Sequence, residues 1–233
     1  MRIAILGYGK MGKMIEKIAL NRGHEIVAKI DINSTDINFN KADVAIDFSI
    51  PDAAFNNIKR CLENGVPVIS GTTGWLDKYP EAVALCEKNN GAFIYASNYS
   101  LGVNIFFQIN EYLAKIMNNH SEYSVAMEEI HHTQKLDAPS GTAITLAEGI
   151  IKHTNKEKWT LEAPKANEIP IRAKRIDAVP GTHTVSYESE IDSISMTHTA
   201  NSREGFALGA VVAAEWIVGK SGIFTMKDVL NLG

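Results

Sequence analysis

The sequence is short of several things, and each shortage narrows its class. It holds two cysteines in 233 residues, Cys61 and Cys86, with no CxxC spacing. That argues against a disulfide framework and against structural zinc, and fits two buried free thiols in a reducing compartment. No run approaches the roughly 20 unbroken apolar residues of a membrane-spanning helix. The apolar start Arg2-Ile-Ala-Ile-Leu6 is too short for a signal peptide and meets a glycine turn at once. Excess positive charge is also missing. The formal net charge of −4 argues against nucleic acid as the main partner, so positive charge for an anionic ligand has to be local. There is neither an internal repeat nor a low-complexity tract. The expectation is a globular protein with no nucleic-acid or membrane partner, long enough for one large or two modest domains.

What is present begins with a glycine loop. The run Arg2–Leu6 reads as a buried strand and Gly7-Tyr8-Gly9-Lys10-Met11-Gly12 follows it directly. Met11, Met14, Ile15, Ile18 and Ala19 then recur at helical spacing up to Arg22-Gly23. A second β-rich run, His24–Ile30, ends at Asp31, 19 positions after Gly12. Strand, GxGxxG, helix, strand and acid form the context that dinucleotide binding requires. Gly7 permits the tight turn, Gly9 lets the backbone approach a pyrophosphate, and Gly12 lets helix and strand pack closely. Asp31 can accept hydrogen bonds from ribose hydroxyls. The βα rhythm continues with strands at 43–48, 66–70 and 92–96 and helices from Pro51 to Asn64 and from Glu81 to Asn89. This predicts a Rossmann-like doubly wound parallel sheet, in an α/β fold whose ligands sit beyond the carboxyl ends of the strands. The Gly7–Gly12 loop, Asp31, Ser49, Gly71-Thr72-Thr73-Gly74 and Ala96-Ser97-Asn98-Tyr99 all fall at those ends.

After Tyr99 the pattern changes. A long amphipathic helix is expected over 102–117 and a strand over 123–130; 156–164 reads as loop. Three β-rich runs at 169–176, 182–188 and 192–199 imply a mostly antiparallel sheet in a second α+β domain of mixed or antiparallel type. An apolar helix over 204–218 is expected to return to the first domain, giving domains of 1–99 with 205–233, and 100–204. The edges or open face of the second sheet would suit subunit contacts.

The densest chemistry lies in Glu128-Glu129-Ile-His131-His132-Thr-Gln-Lys135-Leu-Asp137-Ala-Pro139-Ser140-Gly141-Thr142. Two histidines and a lysine precede a turn that opens an apolar helix, and such a helix terminus offers free N–H groups to an anion. Neighbouring side chains on an extended segment point apart, so His131 and His132 would not share a metal, and no metal is expected. Asp137 either orients Lys135 or caps the turn.

These residues resemble the dihydrodipicolinate reductase family, the 4-hydroxy-tetrahydrodipicolinate reductases of bacterial lysine and diaminopimelate synthesis. The resemblance spans nearly the whole chain. Its most specific part is Glu129-Ile-His-His-x-x-Lys-x-Asp-Ala-Pro-Ser-Gly-Thr-Ala143, supported by the glycine loop, Gly71–Gly74, Ser97–Ser100, Gly102-Val103-Asn104 and Gly181-Thr182-His183. It implies a cytoplasmic NAD(P)H-dependent oxidoreductase, a homotetramer built through the second domain's sheet, and a small dicarboxylate substrate. Carried over by position, His131 is the proton donor or acceptor and Lys135 the proton donor. His132, Gly141 and Thr142 hold substrate, with Ser140 and Thr73 nearby. The substrate-side arginine is Arg175 by its spacing to Gly181, with Arg172 close by. The cofactor is lined by Gly7, Tyr8, Gly9, Lys10, Met11, Gly12, Asp31, Ser49, Gly71, Thr72, Thr73, Ala96, Ser97, Asn98 and Tyr99.

Two departures bear on function. Only 16 positions separate Asp31 from Asp47, where the family often has a longer connection, so the second crossover is expected to lack its helix. Ile32 follows Asp31, where the family often has an arginine suited to a 2′-phosphate; this favours NADH over NADPH, with NADPH tolerated if Lys10 or another cation reaches the phosphate. The rival readings are an aspartate-type amino-acid dehydrogenase and a non-catalytic dinucleotide redox sensor. Neither needs His131, His132 and Lys135 together with Pro139–Thr142.

Overall fold

The computed structural model describes residues 1–31, 39 and 41–232. In chain order the elements are β1 (Arg2–Leu6), α1 (Lys10–Asn21), β2 (Glu25–Ile30), β3 (Val44–Asp47), α2 (Pro51–Glu63), β4 (Val68–Ser70), a short 3-10 turn, α3 (Tyr79–Lys88) and β5 (Ala92–Tyr95). Then come α4 (Leu101–Met117), β6 (Ser124–His131), α5 (Gly141–Ile151), β7 (Lys158–Thr160), β8 (Glu168–Arg175), β9 (Gly181–Glu188) and β10 (Ser193–Ala200). The chain closes with α6 (Glu204–Ile217), β11 (Gly222–Phe224) and α7 (Met226–Val229). Two compact units result: Met1–Leu101 with Glu204–Gly233, and Gly102–Arg203.

The first unit is a six-stranded sheet in the order β11-β5-β4-β3-β1-β2, with every pairing parallel. Its central strands are buried on both faces, as parallel strands under helices must be. Alternation divides each strand between two cores. Ile3, Ile5, Ile46, Ile69 and Ile94 face α1 and α6, while Ala4, Leu6, Ala45, Val68 and Phe93 face α2 and α3. Each fully buried Ile or Leu contributes roughly 1.5–3 kcal/mol. Cys61 and Cys86 lie in the second of these cores as free thiols. The chain steps from β1 to β2, then reappears as β3 on β1's other side. That reversal of strand order is where such sheets open a crevice. The expected loss of a helix from this crossover falls on residues 32–38 and 40, outside the described residues.

Helix α6 carries seven buried residues, Ala207, Gly209, Ala210, Val211, Ala213, Ala214 and Ile217, and belongs to this first unit. Small side chains let it sit close to the loop after β5: a Cβ on Gly209 would lie 1.7 Å from the Tyr99 carbonyl oxygen. Strand β11 and helix α7 are absent from the sequence reading. The strand is three residues long, too short for a periodic signal, but Thr225 and Asp228 do form a capping box of recognisable spacing.

The second unit is a five-stranded sheet in the order β10-β9-β6-β8-β7. Here two expectations are corrected. The sheet is mixed rather than mostly antiparallel: β10–β9 and β9–β6 are antiparallel, whereas β6–β8 and β8–β7 are parallel. The parallel pair follows from α5, which supplies the crossover that parallel strands require. Residues 158–160, read as loop, are edge strand β7. Strand β6 alternates, sending Val125, Met127, Glu129 and His131 to the covered face. There α4 and α5 close a core with Phe106, Leu146, Ile150, Ile171 and Val185. The opposite face is polar, with hydroxyl pairs Thr182–Thr199, Thr184–Thr197 and Ser186–Ser195 between β9 and β10. Among the described residues no helix is long and apolar enough to cross a membrane.

Candidate active site

The covered face of the second sheet is apolar except near the end of β6. There Glu129, fully buried, lies directly across from His183 of β9, and His183 lies across from His198 of β10. One register step on, His131 pairs with Arg175 of β8. The His131 and His183 rings meet edge to face, with centroids 5.0 Å apart. Both stand 3.7 Å from Glu129 Oε2, His131 through Nδ1 and His183 through Nε2. The same oxygen accepts a hydrogen bond from Ser140 N at 3.0 Å, and Oε1 accepts one from Arg175 Nη2 at 3.2 Å.

Ser140 is also the N-cap of α5. Its Oγ accepts from Ala143 N at 3.3 Å and shares a 3.1 Å hydrogen bond with His183 Nε2. Asp137 is therefore not the cap; it pairs with Lys135 Nζ at 2.8 and 2.9 Å. Arg175 braces the same loop, donating to the carbonyls of Lys135 at 3.3 Å and Asp137 at 2.5 Å. Arg172 projects to the other face and lies 3.9 Å from Glu128, so of the two candidate arginines only Arg175 stands on the histidine side. Its donors are largely committed to Glu129 and to backbone, so it acts as a brace for the loop more than as an open anion receptor.

These surroundings set the charges. Burial pulls His131 below its ordinary value, helped by the Lys135 and Arg175 cations and opposed by Glu129. Burial pushes His183 down to about 4, with His131 adding to the effect and Glu129 opposing it. For Glu129 burial alone would favour the neutral acid, but the Ser140 hydrogen bonds, the His131 charge and the Arg175 hydrogen bond outweigh it and hold the carboxyl below its usual range. Glu129, His131 and His183 bring three donor groups within 4.8 Å of one another. Because Arg175 and Ser140 already occupy Glu129, and Ser140 occupies His183, the arrangement reads as a hydrogen-bonded charge cluster. His132, half-buried, lies just past the strand, followed by Lys135 and then by Gly141 and Thr142 in the first turn of α5. A Cβ on Gly141 would meet nothing within 4 Å, so open space adjoins this terminus.

The first unit presents a second set of loops, at the carboxyl ends of its strands. Gly7 N donates to Ile30 O at 2.8 Å, which brings the glycine loop beside Asp31, and Phe48 N donates to Leu6 O at 2.8 Å. A Cβ on Gly7 or Gly12 would come within 2.2 Å of backbone, so the fold itself needs those two glycines. Gly9 differs: its Cβ would meet nothing within 4 Å. It caps α1 with no side-chain hydrogen bond, so this helix start keeps a bare backbone of the kind that suits a pyrophosphate.

Asp47, given no role in the sequence reading, organises the neighbouring loops. It is fully buried and accepts from Ser49 Oγ at 2.7 Å, Asn57 Nδ2 at 3.0 Å, and Ser70 Oγ and Thr72 Oγ1 at 2.8 Å each. Burial raises its carboxyl above the usual value and these four hydrogen bonds oppose the rise. Ser49 and Thr72 are thus internal ties, while Thr73 is exposed. Tyr99 is internal as well. It is 1% exposed, and its hydroxyl donates to the Ser70 and Ile94 carbonyls, so its ring supports the loop from below. Tyr8 donates to Glu16, Lys29 lies 2.5 Å from the same carboxylate, and the Lys29 ammonium stands 5.0 Å above the Tyr8 ring. Lys10 is exposed and Met11 half-buried at the start of α1. Ala96, Ser97 and Asn98 form the loop after β5, where Asn98 Oδ1 accepts from Ser100 N at 2.9 Å.

Two arrangements, a dinucleotide-type glycine loop and a Glu-His-Lys cluster beside a helix terminus, thus stand on one chain. Comparison with known proteins places both parts of the chain in one family. Residues 1–99 match the amino-terminal domain of dihydrodipicolinate reductase, and residues 102–230 match its carboxy-terminal domain. The chain belongs to the dihydrodipicolinate reductase family. It is 60% identical over 234 residues to the 4-hydroxy-tetrahydrodipicolinate reductase of Christiangramia forsetii, covering 99% of this chain and 98% of that one. It is 40% identical to the 4-hydroxy-tetrahydrodipicolinate reductase of Archaeoglobus fulgidus over 264 aligned positions, covering 99% and 100%. Among solved structures, a dipicolinate-bound dihydrodipicolinate reductase from Paenisporosarcina shares the fold with a TM-score of 0.77 at 24% identity, covering 96% and 97% of the two chains. The aspartate dehydrogenase of Thermotoga maritima, of the rival class, reaches 0.50 at 13% identity, covering 92% and 95%, a likeness of fold alone.

Residues absent from the expected site set are Glu129, His183 and Asp47. Strand alternation places Glu129 on the His131 face two residues earlier. His183 lies in the Gly181–His183 motif, but its partners come from other strands, which local spacing does not reveal.

Proposed function

We propose that the protein reduces 4-hydroxy-tetrahydrodipicolinate to tetrahydrodipicolinate with a reduced nicotinamide dinucleotide, in the synthesis of diaminopimelate and lysine. The observation that carries this reading is the end of β6, where His131 stands 3.7 Å from the buried Glu129 and the Lys135 loop leads into the start of α5, whose cap Ser140 takes up Ala143 N. The substrate carries two carboxylates and a cyclic imine. The dinucleotide, when bound, supplies hydride. The chain's own groups do the rest. Hydride addition to the conjugated ring leaves electron density that needs a proton, and His131 Nε2 and Lys135 Nζ are the donors on hand. General acids of this kind contribute roughly 10²–10⁴-fold. Free amides at Gly141 and Thr142, with His132, receive a carboxylate. Lys135 waits paired to Asp137, which is exposed enough to yield to an incoming anion.

The bare Gly9 turn, Asp31 beside it, and Lys10, Met11, Gly71, Thr73, Ala96, Ser97 and Asn98 on the same strand ends are the cofactor-side residues of this reading. Thr73 is also near the substrate in it. NADH is the preferred cofactor. Lys29, a cation near the glycine loop, is already neutralised by Glu16, so it is not available to a 2′-phosphate. The enzyme is cytoplasmic and works as a homotetramer through the polar sheet face of the second unit.

The test is loss of NADH or NADPH absorbance with substrate formed in situ from pyruvate and aspartate semialdehyde. Turnover with this mixture, and no NADH formation from aspartate and NAD⁺, is expected; the reverse result would favour the amino-acid dehydrogenase. Lys135→Ala should lose at least 100-fold in kcat while binding NADH normally, whereas a redox sensor would be indifferent to it. A kcat/KM tenfold higher with NADPH would overturn the NADH preference.

A further inference from the structure

We propose that Glu129 is a positioning residue for proton transfer: it acts through His131, holding the imidazolium by its Nδ1 edge so that Nε2 delivers the proton. This deepens the reading above and rests on it.

The geometry separates the two edges of the His131 ring. Nδ1 is buried with no hydrogen-bond partner, and Glu129 Oε2 stands 3.7 Å from it. A shift below 1 Å closes that gap to a charge-assisted hydrogen bond. Such a bond exists only when Nδ1 carries a proton, so it favours the protonated ring. Nε2 lies on the other edge, beside Gly181, where a Cβ would stand 3.1 Å from it. Glycine there leaves Nε2 room.

Glu129 is itself held still. Ser140 N fixes Oε2 and Arg175 fixes Oε1, so the carboxylate cannot rotate away from the ring. Every charged or titratable group around His131 then has a part. Lys135 and Arg175 work against its protonation, Asp137 works weakly for it, and Glu129 is the main opposing charge. His183 faces the same carboxylate from β9 and would compete for it if charged. Deep burial keeps His183 neutral, and the Ser140 hydroxyl occupies its Nε2. His198 is one strand further on. The negative charge of Glu129 is thereby left to His131.

The experiment compares wild type, Glu129→Asp and Glu129→Gln in the NADH assay from pH 5 to 9, with a parallel NMR titration of carbon-13 histidine over the same range, His131 being assigned with His131→Asn. Loss of the charge should move the alkaline limb of kcat/KM to lower pH. Because His131 already lies below its ordinary value, Glu129→Gln should lose severalfold more at pH 8 than at pH 5, with KM for NADH unchanged and Glu129→Asp intermediate. The His131 titration should shift in the same order. A loss equal at every pH, or an unmoved His131 titration, would overturn the proposal and leave Glu129 a purely structural tie. If Glu129→Gln fails to fold, the same criterion applied to Glu129→Asp decides. If the wild type does not reduce the ring at all, the proposed function fails, while the NMR titration still judges the Glu129–His131 coupling.

Discussion

At the scale of single residues, buried carboxylates do the organising. Asp47 has no countercharge among the groups bonded to it; it is met by three hydroxyls and an amide. Asparagine keeps the shape and part of the bonding, so Asp47→Asn is expected to stay within about 1 kcal/mol of wild type. Alanine strands the donors and should cost roughly 3 kcal/mol or more. Urea denaturation of the two variants measures the difference; equal losses would show that the carboxylate is not the hub. Little of this was legible in the sequence. Asp47 ends an ordinary apolar strand, and its partners lie up to 25 positions away on other elements. His131 and Lys135 stood out because proton-handling groups adjoin in sequence, whereas Glu129 and His183 show their relation only once β6 and β9 are in register.

At the scale of elements, close approach decides which residues are replaceable. Gly209 lets α6 pass the Tyr99 carbonyl, and a methyl group there has no room. Gly209→Ala should destabilise by roughly 3 kcal/mol or more, beyond ordinary overpacking because the obstacle is backbone. A fall of less than 1 kcal/mol in a thermal or urea melt would mean that the helix shifts freely. Gly9→Ala should leave the melt almost unchanged, since nothing of the protein fills that space. The parallel sheet was legible because buried strands, glycine turns and helical periods alternate regularly. Strands β7 and β11 were not, each having three residues, fewer than one clear alternation.

At the scale of the whole molecule, the buried histidines govern the response to acid. His183 sits at about 4 in the folded protein and near 6.5 when unfolded, so the unfolded chain binds the extra proton first. Stability is therefore whole above pH 6.5 and declines as pH falls toward 4, by up to about 3 kcal/mol from this group. His131, also lowered, declines in the same direction. Asp47, raised, works oppositely and gains as pH falls through its folded value. Denaturation midpoints for wild type and His183→Gln at pH 7 and 4.5 should converge toward the acid end; parallel curves would contradict the assignment. At this scale the parallel first sheet and the family were legible from motif order, while the parallel pairing of β6 with β8 was not, because strand direction depends on what connects the strands.

The two thiols lie in the layer that α2 and α3 lay over the parallel sheet, Cys61 without exposure and Cys86 at 1%. Burial also holds both as unreactive thiols rather than thiolates. Alkylating reagents will therefore modify them only as fast as that layer lifts. The pair is a built-in clock for the opening of the nucleotide-side unit, readable by mass spectrometry with no label added.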